Sequence, residues 1–294
     1  MRGLTSVFEI LSLLDMICSE LEPQDIRNCT TCNKDWFSYF SPYRFKYVQF
    51  SNSHQERTLL LLENSYHIRE LELNLTNVET FINQQCTRLK KLTLNFAYED
   101  EEELDDAYLD DLEQEELNTI EGTDHPHVTK PDKLTYAAKL IQMNQGLRTL
   151  RIDRGEQIHK PVRPLSKSIL KAIASHPYLT TIHITMPLSC FVLIKVLKHL
   201  PRQLQELNIH INSDYHQDKH QVNPKDDQQY HMHCDKHADL FQSRGTVFNL
   251  RRLILNINLR CFLNRMLIPL LRQCPDLEEL MLPDIKEHII ELAQ

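Results

Sequence analysis

Four potential metal ligands fall within seven residues in the stretch His231-Met-His233-Cys234-Asp-Lys-His237, with His216 and His220 upstream. Imidazole and thiolate are good zinc ligands. The spacing matches no common zinc module, and the surrounding segment is polar, so adventitious binding or none is expected. Cys29-Thr-Thr-Cys32 is a C-x-x-C pair of the kind used in redox and zinc chemistry. It has no second C-x-x-C to complete a site and lies on the apolar stripe of a helix, so both thiols read as structural. The third charged constellation runs from Glu99 to Glu116, with 12 acidic residues and no Lys or Arg. Such a run can steer a basic partner over long range. Leu104, Tyr108, Leu109 and Leu112 within it would line one face of a helix formed on binding, with a solvated insertion as the default.

No nucleotide loop, nucleophile elbow or pair of catalytic carboxylates is present, and the 5 glycines are scattered. No dense basic patch with interleaved aromatics marks a nucleic-acid surface either. The expectation is a protein without enzymatic activity, metal or cofactor.

The elements that would carry any site follow a repeated phrase: apolar, two residues, apolar, one residue, apolar. Copies begin at Ile68, Leu89, Leu147, Leu179, Leu204, Leu250 and Leu277. This is the core of a leucine-rich repeat. Each copy supplies one short parallel strand that cannot bury its own apolar face, and stacked copies bury each other as a curved solenoid. The fold class is therefore α/β, with a curved parallel sheet and outer helices. Helical stripes precede most strands, at Thr58 to Asn64, Val78 to Cys86, Tyr136 to Met143, Ser168 to Ala174, Phe191 to His199 and Leu263 to Gln273. Several end at a proline just before the strand, as in His176-Pro177 and Cys274-Pro275.

Repeat starts lie 21, 58, 32, 25, 46 and 27 residues apart, so two units carry insertions, at about 97–133 and 213–245. Both are polar with little periodicity and read as loosely attached loops. The asparagine that regular arrays place three residues after the last strand leucine recurs only as Asn212 and Asn258, which predicts irregular curvature. The final stretch, Asp284 to Gln294, reads as a helix start with no strand after it, either a crude cap or a truncated end.

Residues 1–46 follow a different period. Leu13, Leu14, Ile17 and Leu21 recur at helical spacing, and Pro23 starts a second helix whose stripe is Ile26, Cys29, Cys32, Trp36 and Phe40, ended by Pro42. The strand-like Tyr47-Val-Gln-Phe50 then opens the second domain, 47–294.

The stretch Ile10 to Ile17, with Leu21-Glu-Pro23-Gln-Asp25-Ile26 and Trp36, resembles an F-box. Leu21, Pro23, Asp25, Ile26 and Trp36 fit the family pattern, and Cys32 stands where a small apolar residue is usual. Leu11 departs from it where proline is expected, and Ser12 where Glu is common. Followed by repeats, this looks like the F-box/leucine-rich-repeat adaptors, and the irregular repeat lengths resemble those of filamentous fungi. The resemblance implies a substrate-recognition subunit of a cullin-RING (SCF-type) ubiquitin ligase. Ile10, Leu13, Leu14, Ile17, Leu21, Pro23, Asp25, Ile26 and Trp36 would then dock a Skp-type adaptor, and the repeats would bind a protein substrate. The same apolar residues also suit a bundle that only caps the first repeat. The competing class is a repeat scaffold with no ligase attached.

If the strand leucines point inward, alternate residues face the concave side. The candidate partner-binding residues there are Arg151, His183, Asn208, His210, Arg252, Ile254 and Met281. That face is polar and mixed in charge, with apolar anchors only at Ile254 and Met281.

The net charge of −8 is local, since without the 12 acidic residues of 99–116 the rest of the chain carries about +4. No run of 18 apolar residues spans a membrane. Glu9 and Asp15 interrupt the N-terminal apolar run, so no secretory leader is expected, and the 8 cysteines read as free thiols. The expected compartment is cytoplasm or nucleus.

Overall fold

The computed structural model describes residues 11–50, 64–83, 86–96, 133–154, 165–186, 193, 196–210, 247–256 and 267–282. The described residues begin with three helices, α1 (Leu11–Glu20), α2 (Pro23–Cys32) and α3 (Lys34–Phe40), and a 3-10 turn, Ser41–Phe45. Eight strands follow in one parallel sheet whose spatial order is the chain order. They are β1 (Tyr47–Phe50), β2 (Glu70–Asn74), β3 (Lys91–Phe96), β4 (Thr149–Arg154), β5 (Thr181–Thr185), β6 (Glu206–His210), β7 (Arg252–Asn256) and β8 (Glu279–Met281). Helices α4 (Val78–Asn83), α5 (Lys133–Met143), α6 (Lys167–Ala174) and α7 (Ile268–Arg272) lie between strands in sequence. One strand per sequence unit, always beside the next, is compatible with a curved, repeat-built α/β fold.

The repeated apolar phrase sets the register. Leu71, Leu92, Leu150, Ile182, Leu207 and Leu253 pair across consecutive strands. All are 0–1% exposed, within one continuous core that also takes in the inner faces of the helices. The leading residue of each phrase is buried as well, from Ile68 to Leu250. At each strand start one carbonyl accepts two N–H groups from the next strand. Lys46 O accepts from Arg69 and Glu70, Arg69 O from Lys90 and Lys91, and Lys90 O from Arg148 and Thr149, and the pattern continues to Arg251 O.

β1 belongs to the same series although its phrase is aromatic. Phe45 packs on the core in the leading position, and Val48 and Phe50 are buried. At the far end, Leu280 was expected inside but is 40% exposed, because β8 has a described neighbour on one side only.

The N-terminal helices have their own small core of Leu14, Cys18, Ile26, Phe40 and Tyr43. The single second helix expected up to Pro42 is two helices. Asn33 adopts extended φ/ψ, and its side chain accepts the Trp36 N–H at 2.9 Å, capping α3. This break rotates the stripe, so Cys29 is half-buried and Cys32 exposed rather than both lying inside. All five described cysteines are free thiols. Burial pushes the Cys18 and Cys86 thiols up to about 12, so both are inert at neutral pH.

Two polar ties join this helical segment to the sheet. Lys46 Nζ donates to the carbonyls of Cys18 and Ser19 at 3.0 and 2.9 Å, at the end of α1. Asp15 accepts the Tyr43 hydroxyl at 2.8 Å and faces Arg69 and Arg88 at 4.0 and 3.8 Å. Among the described residues no helix is long and apolar enough to cross a membrane.

Candidate interaction surface

Alternation along each strand leaves three rows of side chains on the sheet's open face, one side chain per strand in each row. The middle row runs Gln49, Glu72, Thr93, Arg151, His183, Asn208, Ile254 and Met281. It changes from charged to apolar along the sheet. Thr93, which stands in this row between Glu72 and Arg151, is only 7% exposed.

The structure brings the predicted Arg151, His183, Asn208, Ile254 and Met281 into that one row, while His210 and Arg252 fall in the flanking rows. Met281 is 43% exposed. Ion pairs lace the row of strand-opening residues, which holds Glu206, Arg252 and Glu279, and reach the middle row at His183. Arg252 reaches Glu279 at 2.9 Å and Glu206 at 3.5 Å, and His183 Nε2 lies 3.9 Å from Glu206. Exposed pairs of this type stabilise by about 1 kcal/mol or less each, so they organise the surface more than they hold the fold. Partial burial lowers the His183 pKa, against the opposing pull of Glu206. In the third row Asn256 Nδ2 donates to His210 Nδ1 at 2.7 Å.

Between β1 and β4 the open face holds a cavity of about 300 Å³, lined by Tyr47, Glu70, Glu72, Lys91, Arg151 and Asp153, with Leu71 and Thr93 also contributing. Lys91 pairs with Glu70 at 3.7 Å, and Arg151 pairs with Asp153. Glu72 accepts from Tyr47 Oη at 3.2 Å, Gln49 Nε2 at 3.3 Å and Asn95 Nδ2 at 3.1 Å. Burial and the facing Glu72 carboxylate raise the Tyr47 pKa, so the phenol stays protonated and donating. Sequence reasoning overlooked Tyr47, Gln49 and the cavity. The signal was available in Phe45-x-x-Val48-x-Phe50, which has the repeat's spacing with aromatic residues in two of the three places.

The predicted docking residues of the N-terminal segment divide by depth. Leu14 and Ile26 are 2% and 1% exposed and form the helical core. Leu13 is half-buried, and Ile17, Leu21 and Trp36 pack partly buried against that core. Pro23 and Asp25 are exposed, and Ile10 lies outside the described residues. Sequence periodicity did not single out Met16 on α1 and Phe37 on α3, two large apolar side chains that are exposed among the described residues of this segment, at 64% and 50%.

Among the described residues no group of three or more His, Cys, Asp or Glu is placed to hold a metal. The His231–His237 cluster and the acidic run 99–116 lie outside them, as do Asn212 and Asn258. No protein-family model matches the chain, and no curated protein matches it in sequence.

Proposed function

We propose that this chain is a non-enzymatic substrate-recognition adaptor of a cullin-RING ubiquitin ligase. In this reading the N-terminal helices are an F-box that docks a Skp-type adaptor. The strands belong to leucine-rich repeats, and their open face recruits a protein substrate. The observation that carries the reading is the division of labour in one chain. A small helical unit with exposed Met16 and Phe37 is tied by Lys46 and Asp15 to a sheet whose open face is polar, pocketed and ends in apolar side chains. A helical unit this small buries little apolar area of its own, so an apolar partner surface suits it. The sheet supplies main-chain rigidity and a row of side chains, which is what recognition of a folded or extended protein requires. The cytoplasm or nucleus is the compartment this role implies.

The test is capture of a purified Skp-type adaptor by the full chain. Binding by the wild type, and its loss in Met16→Asp with Phe37→Asp at unchanged melting temperature, is the expected result. If the wild type captures no adaptor, the ligase reading fails and the sheet is left as an interaction scaffold. If the well-folded double variant binds undiminished, the docking face is misassigned.

A further inference from the structure

One carboxylate in the cavity between β1 and β4 has no cation of its own. Lys91 stands beside Glu70, and Arg151 beside Asp153. Glu72 is held only by neutral donors, from Tyr47, Gln49 and Asn95, and among the described residues no ion pair reaches it. Three carboxylates against two cations leave the cavity one negative charge, centred on Glu72. Tyr47, 43% exposed, lines the same space with its ring.

We propose that this cavity receives a single cationic side chain, arginine in preference to lysine, from the recruited protein. This rests on the open face being a recruiting surface. The cavity, at about 300 Å³, stands at the bottom of the range of ligand pockets, about 300–1,000 Å³. It suits one extended side chain rather than a larger ligand. A guanidinium sheds its weak hydration readily and stacks on an aromatic ring, and Glu72 Oε2, which among the described residues accepts only from Tyr47, keeps one acceptor site for an incoming N–H. Glu72 and Tyr47 offer those two partners side by side. Lys91 and Arg151 flank the position and neutralise the other two carboxylates, so a misplaced cation meets repulsion and only the Glu72 position stays open. An anionic group such as a phosphate meets a net negative wall.

The test uses the full chain and blocked pentapeptides Ac-Ala-Ala-Xaa-Ala-Ala-NH2 with Xaa as Arg, Lys, Gln or Glu. NMR shifts are read at the Tyr47 ring and the Gln49 side-chain amide, so attraction to the acidic run 99–116 does not register. The Arg peptide should give saturable shifts, the Lys peptide weaker ones, and the Gln and Glu peptides none. Glu72→Gln should weaken Arg-peptide binding by at least about tenfold at unchanged melting temperature. Lys91→Gln should strengthen it, a gain that misfolding cannot produce. Equal binding of the Gln and Arg peptides, no saturable binding, or undiminished binding by folded Glu72→Gln would overturn the proposal. Adaptor capture depends on α1 and α3 and is measured separately, so either reading can fail while the other stands.

Discussion

His176 Nε2 lies 2.9 Å from the backbone carbonyl of Asn144, joining two consecutive inter-strand turns inside the molecule. His176 Nδ1 accepts the Tyr178 N–H, so the proton sits on Nε2 and is donated to Asn144. Both residues stand five positions before a strand, as Cys86 does before β3, where its thiol donates to Ser65 O at 3.7 Å. The Asn144 side chain continues the series by accepting the Leu89 N–H and donating to Leu140 O, each at 2.8 Å. Gln203 extends it by donating to His176 O. A stepped polar ladder thus satisfies the buried turn backbones from β2 to β6.

The ladder makes Asn144 a position where a small change has a large effect. Asn144→Ala removes the acceptor from the buried Leu89 N–H, and an orphaned buried group costs about 1–3 kcal/mol. The expected result is a lowered midpoint in denaturant unfolding with an unchanged slope. Asn144→Asp keeps the acceptor, but its ionised form loses the donor to Leu140 O and buries a charge, while its neutral form can donate through the carboxyl O–H, so the variant should fall between Ala and wild type only at a pH where the carboxyl is neutral. An Ala variant as stable as wild type would show that the turns do not depend on the ladder.

Much of the sheet was legible because its signal is local. Two leucines one residue apart, with a third just before them, fix which side of each strand is buried, and Leu71, Leu150 and Leu207 lie inside as that spacing requires. The ladder was not legible, because Cys86, Asn144 and His176 share a place but no residue type. The ladder stands before the strands, whereas Asn212 and Asn258 follow them and lie outside the described residues. The cavity escaped for a different reason. Tyr47, Glu72 and Arg151 are 25 and 79 residues apart in sequence and meet only through register. The split at Asn33 was hidden because the apolar stripe continues through it, while the break is made by one side-chain cap.

The same spacing predicts how the two faces of β6 respond to truncation. Leu207 is 0% exposed in the core, and Asn208 is half-buried on the open face. Leu207→Ala should destabilise the chain by about 2–5 kcal/mol. Asn208→Ala should stay within about 0.5 kcal/mol and act, if at all, on partner capture. Chemical denaturation of both variants measures the contrast, and similar losses would contradict the register.

Acid should weaken the junction between the helices and the sheet through His67. Burial lowers its pKa below the usual histidine value of 6.5, Arg69 and Arg88 add to that, and Asp15 opposes them. The rings of Tyr43 and Tyr66 pack against it at 5.4 and 5.6 Å, and its Nδ1 has no partner among the described residues. The unfolded chain therefore binds the proton more readily than the folded one. The stabilisation is complete above about pH 6.5 and is lost as pH falls through the lower folded pKa. His183, lowered in the same direction, adds to the slope. Melting temperatures between about pH 7.5 and 5 should fall, and His67→Asn should flatten part of that fall. A slope unchanged in the variant would assign the effect to other groups.

Lys46 is the residue through which the helical segment and the sheet are held in one arrangement. Its carbonyl accepts the N–H groups of Arg69 and Glu70 at the start of β2, each at 2.9 Å. Its ammonium reaches back to Cys18 and Ser19 O, two of the carbonyls that the end of α1 leaves without helical partners. A cation at a helix C-terminus also meets the negative end of the helix dipole. Lys46→Met keeps the aliphatic stem and the strand-side backbone bonds but removes the charge-assisted ones, which are worth about 1.5–3 kcal/mol each when buried and less at this half-exposed site. The loss should therefore be local. Amide exchange should rise in α1 and around Leu21, while the amides of β2 to β6 keep their protection. Asp15→Asn, which weakens the second tie to Arg69 and Arg88, should add to the effect. Uniform loss of protection across the sheet in Lys46→Met would mean that the helices and strands unfold as one unit and that the Lys46 tie is not local. Protection unchanged in α1 would mean that the helical core of Leu14, Ile26 and Phe40 holds the segment in place without it.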